Sequence, residues 1–329
     1  MRYLIIGGAG VFALHTIRKL LSNKNTSLVL STGRNMQRHG AFSLDIDSKK
    51  YPHFIYKQVH LTFETDKLIN LIKSYKINYI INFAALAHAT SWQNSYRYYD
   101  TNISAVAKLV ESIYDFKYLK QFLQIGSSEV YGSTAKPAKE TTSPNPTSPY
   151  AVSKLATDLH LLTCFKHNGF PVNIIRPSNC YGPTQLLYRI IPKTILYLKE
   201  GKKFPLEGGG KAEKSFMHAD DLANALDLIL KSKKYGEIYN CGVKKPVTMR
   251  KLVEIISEKL NKDFDESVKI TKARKTEDQK YWIDSTKIKK ELGWKPVISI
   301  EDGIEDCINW VERYRDELKK ENFDFELRA

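Results

Sequence analysis

Cysteine is scarce and scattered: Cys164, Cys180, Cys241 and Cys307 are the only four, and no two form a CxxC pair or stand at a spacing from histidine that would hold zinc or define a disulfide framework. Long apolar runs are missing too, and no stretch approaches the ~20 residues of a membrane span. The opening Met1-Arg2-Tyr3-Leu4-Ile5-Ile6 is broken at once by Gly7-Gly8, so it reads as a first strand and not as a signal peptide. There is no internal repeat and no low-complexity tract. These absences exclude a membrane span and a cysteine-stapled secreted scaffold, and they point to a reducing cytoplasm.

Acidic residues are outnumbered, 36 against 51 Lys and Arg, for a formal charge of +15. A basic surface attracts polyphosphate, which makes nucleic-acid binding a class to weigh. The cations of Lys251 to Lys262 and Lys287 to Lys290, however, stand at helical spacing among apolar residues, the pattern of solvated helix faces. No nucleic-acid partner is expected. With 329 residues, 42% hydrophobic and 26% charged, the chain is an ordinary globular protein too large for one core, so two lobes built from interleaved segments are expected.

Short apolar runs alternate with amphipathic stretches: Tyr3 to Ile6, Leu14 to Leu21, Ser27 to Ser31, Thr65 to Ser74, Tyr79 to Phe83, Ala105 to Tyr114, Phe122 to Ile125, Ala151 to His167 and Val172 to Arg176. That rhythm predicts an α/β protein with a doubly wound parallel sheet of the Rossmann type. The proline-rich stretch Thr141 to Pro149 predicts a stiff surface loop ending at Tyr150. After Pro177 the pattern changes, with Tyr181-Gly182-Pro183, a helix near Ile190 to Glu200 and Gly208-Gly209-Gly210 opening a smaller C-terminal substrate lobe. We expect residues 1–178 to form the dinucleotide-binding domain, with 212–242 returning to it, and 179–211 with 243–329 to form the lobe.

The first strand runs into Gly7-Gly8-Ala9-Gly10-Val11-Phe12-Ala13 and then an amphipathic stretch. Glycines let a backbone turn tightly against a pyrophosphate, which the following helix N-terminus stabilises through its amides. Alone, the same residues would serve as a plain strand-to-helix turn. The acidic residue that would favour NAD about twenty positions on is absent. Ser31-Thr32-Gly33-Arg34 stands there instead, so NADP is expected, with Ser31 and Arg34 at its 2′-phosphate and NAD as the other choice.

Farther on come Gly126-Ser127-Ser128-Glu129-Val130-Tyr131-Gly132 and, after the proline-rich loop, Tyr150-Ala151-Val152-Ser153-Lys154. Residues four apart share a helix face, so the Lys154 ammonium is expected beside the Tyr150 phenol, lowering its pKa and letting it accept a hydroxyl proton.

With these motifs the chain resembles the extended short-chain dehydrogenase/reductase family, in particular its nucleotide-sugar epimerases and 4,6-dehydratases. The resemblance also rests on Asn82-Phe83-Ala84-Ala85 with His88, Thr101-Asn102, Arg176-Pro177-Ser178-Asn179-Cys180-Tyr181-Gly182-Pro183 and Phe216-Met217-His218-Ala219-Asp220-Asp221. It implies a nucleotide-diphosphate sugar as substrate, bound by the smaller lobe, and a homodimer paired through the helices after Asn102 and from Tyr150. It places Gly7, Gly10, Val11, Phe12 and Ala84 at the cofactor, Ser127 at the reacting oxygen, Tyr150 as base and Lys154 on the nicotinamide ribose. It places His88, Asn179, Lys193, Lys214 and Arg274 toward the substrate, although Lys214, and less so Arg274, would also serve as a surface cation.

Glu129 decides the reaction. Ser-Ser-Glu is similar to the 4,6-dehydratases and to nucleotide-glucuronate decarboxylases, and implies that Glu129 removes the carbon-five proton after oxidation at carbon four. Ser128 departs from the aspartate of many relatives, so Glu129 would also protonate the leaving hydroxyl. Another departure is His60, where relatives carry an aspartate near the adenine. The expected activity is a 4,6-dehydratase. A 4-epimerase or 4-ketoreductase, a decarboxylase, and a non-catalytic dinucleotide sensor or nucleic-acid-binding protein stay open.

Overall fold

The first 177 residues supply six strands: β1 (Arg2–Ile6), β2 (Leu28–Gly33), β3 (Phe54–Gln58), β4 (Tyr79–Asn82), β5 (Gln121–Ile125) and β6 (Val172–Pro177). Between them lie α1 (Val11–Leu21), α2 (Thr65–Tyr75), α3 (Ser95–Tyr99), α4 (Ala105–Ile113) and α5 (Pro149–Asn168). Then follow β7 (Asn179–Tyr181), α6 (Ile190–Lys199), β8 (Phe204–Glu207), β9 (Glu213–Lys214), β10 (Phe216–His218), α7 (Ala219–Lys231) and β11 (Ile238–Cys241). This computed structural model describes residues 1–87, 92–272 and 280–322.

The strands of the main sheet read as near-continuous apolar runs because helices cover both faces. All seven are parallel, in the order β11-β6-β5-β4-β1-β2-β3. The expected Rossmann-type sheet is therefore present. On one face Leu14 and Ile17 of α1 share a core with Leu222 and Leu226 of α7. A charged clamp also joins these two helices, with the His15 ring 2.7 Å from Asp220 and Arg18 donating to Asp220 at 2.7 and 2.8 Å. On the other face Leu68, Leu109, Val110 and Leu161 pack together from α2, α4 and α5.

A third core gathers Ile191 and Ile195 of α6, Leu252 and Ile256 of the helix Met249–Lys259, and Ile304 and Trp310 of the helix Ile300–Arg313. Trp310 donates through its indole to the Ala41 carbonyl at 2.7 Å, which ties this core to the loop after β2.

Strand order reverses between β1 and β4, and the crevice at their carboxyl ends is where a doubly wound sheet binds its ligand. Helix boundaries differ from the sequence reading in one informative place. Helical backbone begins at Ser95, ten residues before the expected start, and passes through a wide turn at Asp100–Ser104. Asn102 in that turn accepts from the Leu86 amide at 2.9 Å and donates to the Leu86 carbonyl at 3.1 Å and to Ser153 at 2.9 Å. A side chain that must satisfy three partners pulls the helix out of its regular pitch.

Candidate active site

The glycine turn is built for close approach. Gly7 has φ +81°, and a Cβ there would lie 2.6 Å from the Ala84 amide nitrogen across the β1/β4 crevice. Gly10 caps α1 with no side-chain hydrogen bond to the first turn, so the amides after it are left for a phosphate. Val11 and Phe12 stand half-buried at that end, and Ala84 lines the opposite wall, also half-buried. These residues fit a dinucleotide pyrophosphate.

Ser31 must be corrected. Its hydroxyl is fully buried in β2, and a Cβ at Gly8 would come within 1.9 Å of it. It packs beneath the glycine turn and cannot reach a ribose. Arg34 lies half-buried at the end of β2. Its carbonyl accepts from the Gln58 amide at 2.9 Å, while Tyr56 donates to the Asn35 carbonyl at 2.7 Å, so the turn that carries it is fixed from β3.

Ser127 follows β5 directly and starts a short turn of helix at Ser128–Tyr131, its hydroxyl accepting from the Glu129 amide at 3.2 Å. Gly132 ends that turn at φ +63°, where a Cβ would lie 2.3 Å from the Asn145 carbonyl, so the proline-rich loop is packed down on it. The loop delivers Ser148, which caps α5 by accepting from Ala151 N at 3.1 Å, with Pro149 in the first helical turn. Tyr150 is thereby set at the mouth of α5, half-buried.

There the phenol hydrogen-bonds with Ser127. Burial first, then the Glu129 carboxylate, push its pKa well above that of a free tyrosine, while the Ser127 hydrogen bond and the Arg189 guanidinium act the other way. Lys154 is 3% exposed and donates to the Ile125 carbonyl at 2.5 Å. Burial pulls its pKa down to about 8, opposed by Asp158. At the Tyr150 phenol, burial and Glu129 outweigh the groups that lower its pKa. The ammonium is engaged by a backbone carbonyl, and burial dominates the phenol.

Glu129 is half-buried and close enough to be felt at the phenol, and Ser128 beside it is buried. Asn179 opens β7, half-buried; Lys193 lies in the first turn of α6, 5.8 Å over the Tyr197 ring; Lys214 is half-buried in β9. His88 and Arg274 lie outside the described residues. Sequence reasoning missed Arg189, the N-cap residue of α6, whose charge reaches Tyr150 from 39 residues farther along the chain. No motif marks it. It also missed Asp158, although its spacing from Lys154 repeats that of Lys154 from Tyr150. Among the described residues there is no group of three or more His, Cys, Asp or Glu that could hold a metal, and no helix long and apolar enough to cross a membrane.

Known proteins resemble this chain in sequence and fold. Human dTDP-D-glucose 4,6-dehydratase is 30% identical over 323 residues, 94% of this chain and 89% of that protein. A trifunctional UDP-glucose 4,6-dehydratase, 3,5-epimerase and reductase of Arabidopsis thaliana, RHM2, is 30% identical over 313 residues, covering 93% of this chain. The chain spans only 46% of that plant protein's length. The crystal structure of DesIV, a dTDP-glucose 4,6-dehydratase of Streptomyces venezuelae with NAD and TYD bound, matches with a TM-score of 0.87 at 28% identity, covering 96% of this chain and 98% of that one. The model of the family described as GDP-mannose 4,6 dehydratase matches residues 4–307, a span that holds the glycine turn, Ser127, Glu129, Tyr150 and Lys154. The chain belongs to that family, among the extended short-chain dehydrogenase/reductase enzymes that act with a nicotinamide dinucleotide.

Proposed function

We propose that the protein is a nucleotide-sugar 4,6-dehydratase, with Ser127, Ser128, Glu129, Tyr150 and Lys154 as its reacting site. The observation that carries this reading is a carboxylate, Glu129, felt at the phenol of Tyr150. A site that only oxidises and re-reduces carbon four needs no second base at that place. A bound nicotinamide dinucleotide supplies the acceptor for the carbon-four hydride and its return at carbon six.

Tyr150 takes the proton of the carbon-four hydroxyl while Ser127 holds that oxygen. The resulting ketone acidifies carbon five, and Glu129 removes its proton. The same proton then leaves with the carbon-six hydroxyl as water, and the proton first taken by Tyr150 balances the one that carbon five regains when carbon six is reduced. The product is a 4-keto-6-deoxy sugar, and one water is lost.

Incubation of the purified protein with nucleotide-activated glucose, mannose and glucuronate tests this. A 4-keto-6-deoxy product is expected, whereas a carbon-four epimer alone, or loss of carbon dioxide from a glucuronate, overturns it.

Residues 179–211 and 243–329 would form the sugar-nucleotide lobe, with Asn179 toward the diphosphate or sugar, Lys214 toward the diphosphate and Lys193 toward the nucleotide base. The dinucleotide domain would be 1–178 with 212–242. For the cofactor we propose NADP, since no carboxylate follows β2 and Arg34 and Arg38 stand there instead. Charge-assisted contacts of this kind are worth roughly 1.5–3 kcal/mol. Arg34→Ala should therefore weaken NADP at least about tenfold in a binding titration and leave NAD unchanged. A homodimer would cover Tyr96, Val152 and Leu159, which α3 and α5 leave exposed. Light scattering in solution measures it.

A further inference from the structure

Tyr150, Lys154 and Asp158 follow one another at four-residue spacing along α5 and so share one face, with neighbouring Cβ atoms about 5–6 Å apart. The last of the three is fully buried, and Arg176 of β6, 2% exposed, donates to its Oδ2 through Nε at 2.9 Å. Arg176 is itself fixed. It donates through Nη1 to the Tyr131 oxygen at 2.8 Å and lies 5.1 Å over that ring, while Tyr131 donates to Asn240 at 2.9 Å. The other carboxylate oxygen, Oδ1, has no hydrogen-bond partner and lies one helical turn from Lys154.

A dry ion pair is a poor way to pin a helix to a strand. Apolar residues of the same volume do it as well, because two desolvated charges barely recover their hydration. A pair with one carboxylate oxygen left over suits another task.

We propose that Asp158 is a positioning residue: paired with Arg176, its carboxylate keeps the buried Lys154 ammonium protonated one helical turn from Tyr150. This rests on Tyr150 being the base, but the charge of Lys154 can be measured without any reaction.

Along α5, Tyr150 and Asp158 stand one turn to either side of Lys154. At the phenol itself Glu129 and Asp158 act to raise the pKa, while the Ser127 hydrogen bond and Arg189 act to lower it. Burial is what draws protons off Lys154, and Asp158 is the charge that opposes it.

The test is a carbon-13 NMR titration of lysine-labelled protein, with the Lys154 signal assigned by its loss in Lys154→Met. The wild-type amine should titrate near 8. In Asp158→Asn it should titrate about one pH unit lower or more, and kcat at neutral pH should fall about tenfold while KM stays within about threefold. Asp158→Glu should restore both. Should Asp158→Asn not fold, the pair Asp158→Asn with Arg176→Gln replaces the ion pair by amides of similar shape, and the same downward shift is expected. An unmoved Lys154 titration in either folded variant overturns the proposal. A shifted titration in a protein that dehydrates no nucleotide sugar would sink the proposed reaction and leave this inference standing.

Discussion

The Glu129 carboxylate lies close enough to the Tyr150 phenol to help burial keep the phenol protonated. The two groups of the proposed mechanism therefore oppose one another at rest. Replacing the carboxylate separates their tasks. Glu129→Gln should abolish dehydration by at least about a hundredfold, the usual share of a lost acid–base group. It should still let the first oxidation proceed, seen as reduced-nicotinamide absorbance that builds up on adding sugar nucleotide. Because the variant removes a charge that raises the phenol, that oxidation should start at lower pH than in wild type. Normal dehydration by Glu129→Gln would remove the role given to Glu129.

Tyr150→Phe keeps the ring and loses the proton acceptor. Turnover should fall by roughly a hundred- to ten-thousandfold, while calorimetry shows sugar-nucleotide affinity within a few-fold of wild type. A variant that loses binding along with turnover would mean that the phenol is a structural contact.

Arg189 favours the ionised phenol from the N-cap of α6. Without it the pKa of Tyr150 rises, so the acid limb of kcat in Arg189→Met should move to higher pH. A limb that stays in place would show that its charge does not reach the reacting oxygen in the working complex.

His218 gives a prediction about stability. Burial first, then His15 and Arg18, hold it down to about 4 against the pull of Asp220. Its folded pKa lies below its unfolded one, so the unfolded chain takes the proton first. Stability is lost as pH falls from about 6.5 to about 4, by roughly 3 kcal/mol if this group acts alone. His218→Gln should flatten the fall of Tm over that interval. An unchanged slope would assign the acid sensitivity to other groups.

Much of this was legible in the chain. Alternating apolar runs gave the sheet, and the glycine turn gave its switch point, because both depend on local backbone requirements. Ser127, Glu129 and Tyr150 could be named together since each closes a strand or opens a helix at one end of the sheet. What stayed hidden depends on burial or on contacts between distant segments. Ser31 looks like a ribose contact until Gly8 is seen to cover it, and no motif shows that the Ile125 carbonyl holds the Lys154 ammonium. Arg189 reaches Tyr150 only because α6 folds back toward the start of α5. Asn102, known from its motif alone, turned out to bend a helix.

The clasp of α1 by α7 has a consequence for synthesis on the ribosome. The apolar face of α1, with Leu14 and Ile17, is complete once residue 21 has emerged, yet its cover of Leu222 and Leu226 is made about two hundred residues later. At translation speeds of about 5–20 residues per second, that face waits some ten seconds or longer for its cover. Nascent chains halted before residue 219 should bind holdase chaperones, and chains released after β11 should not.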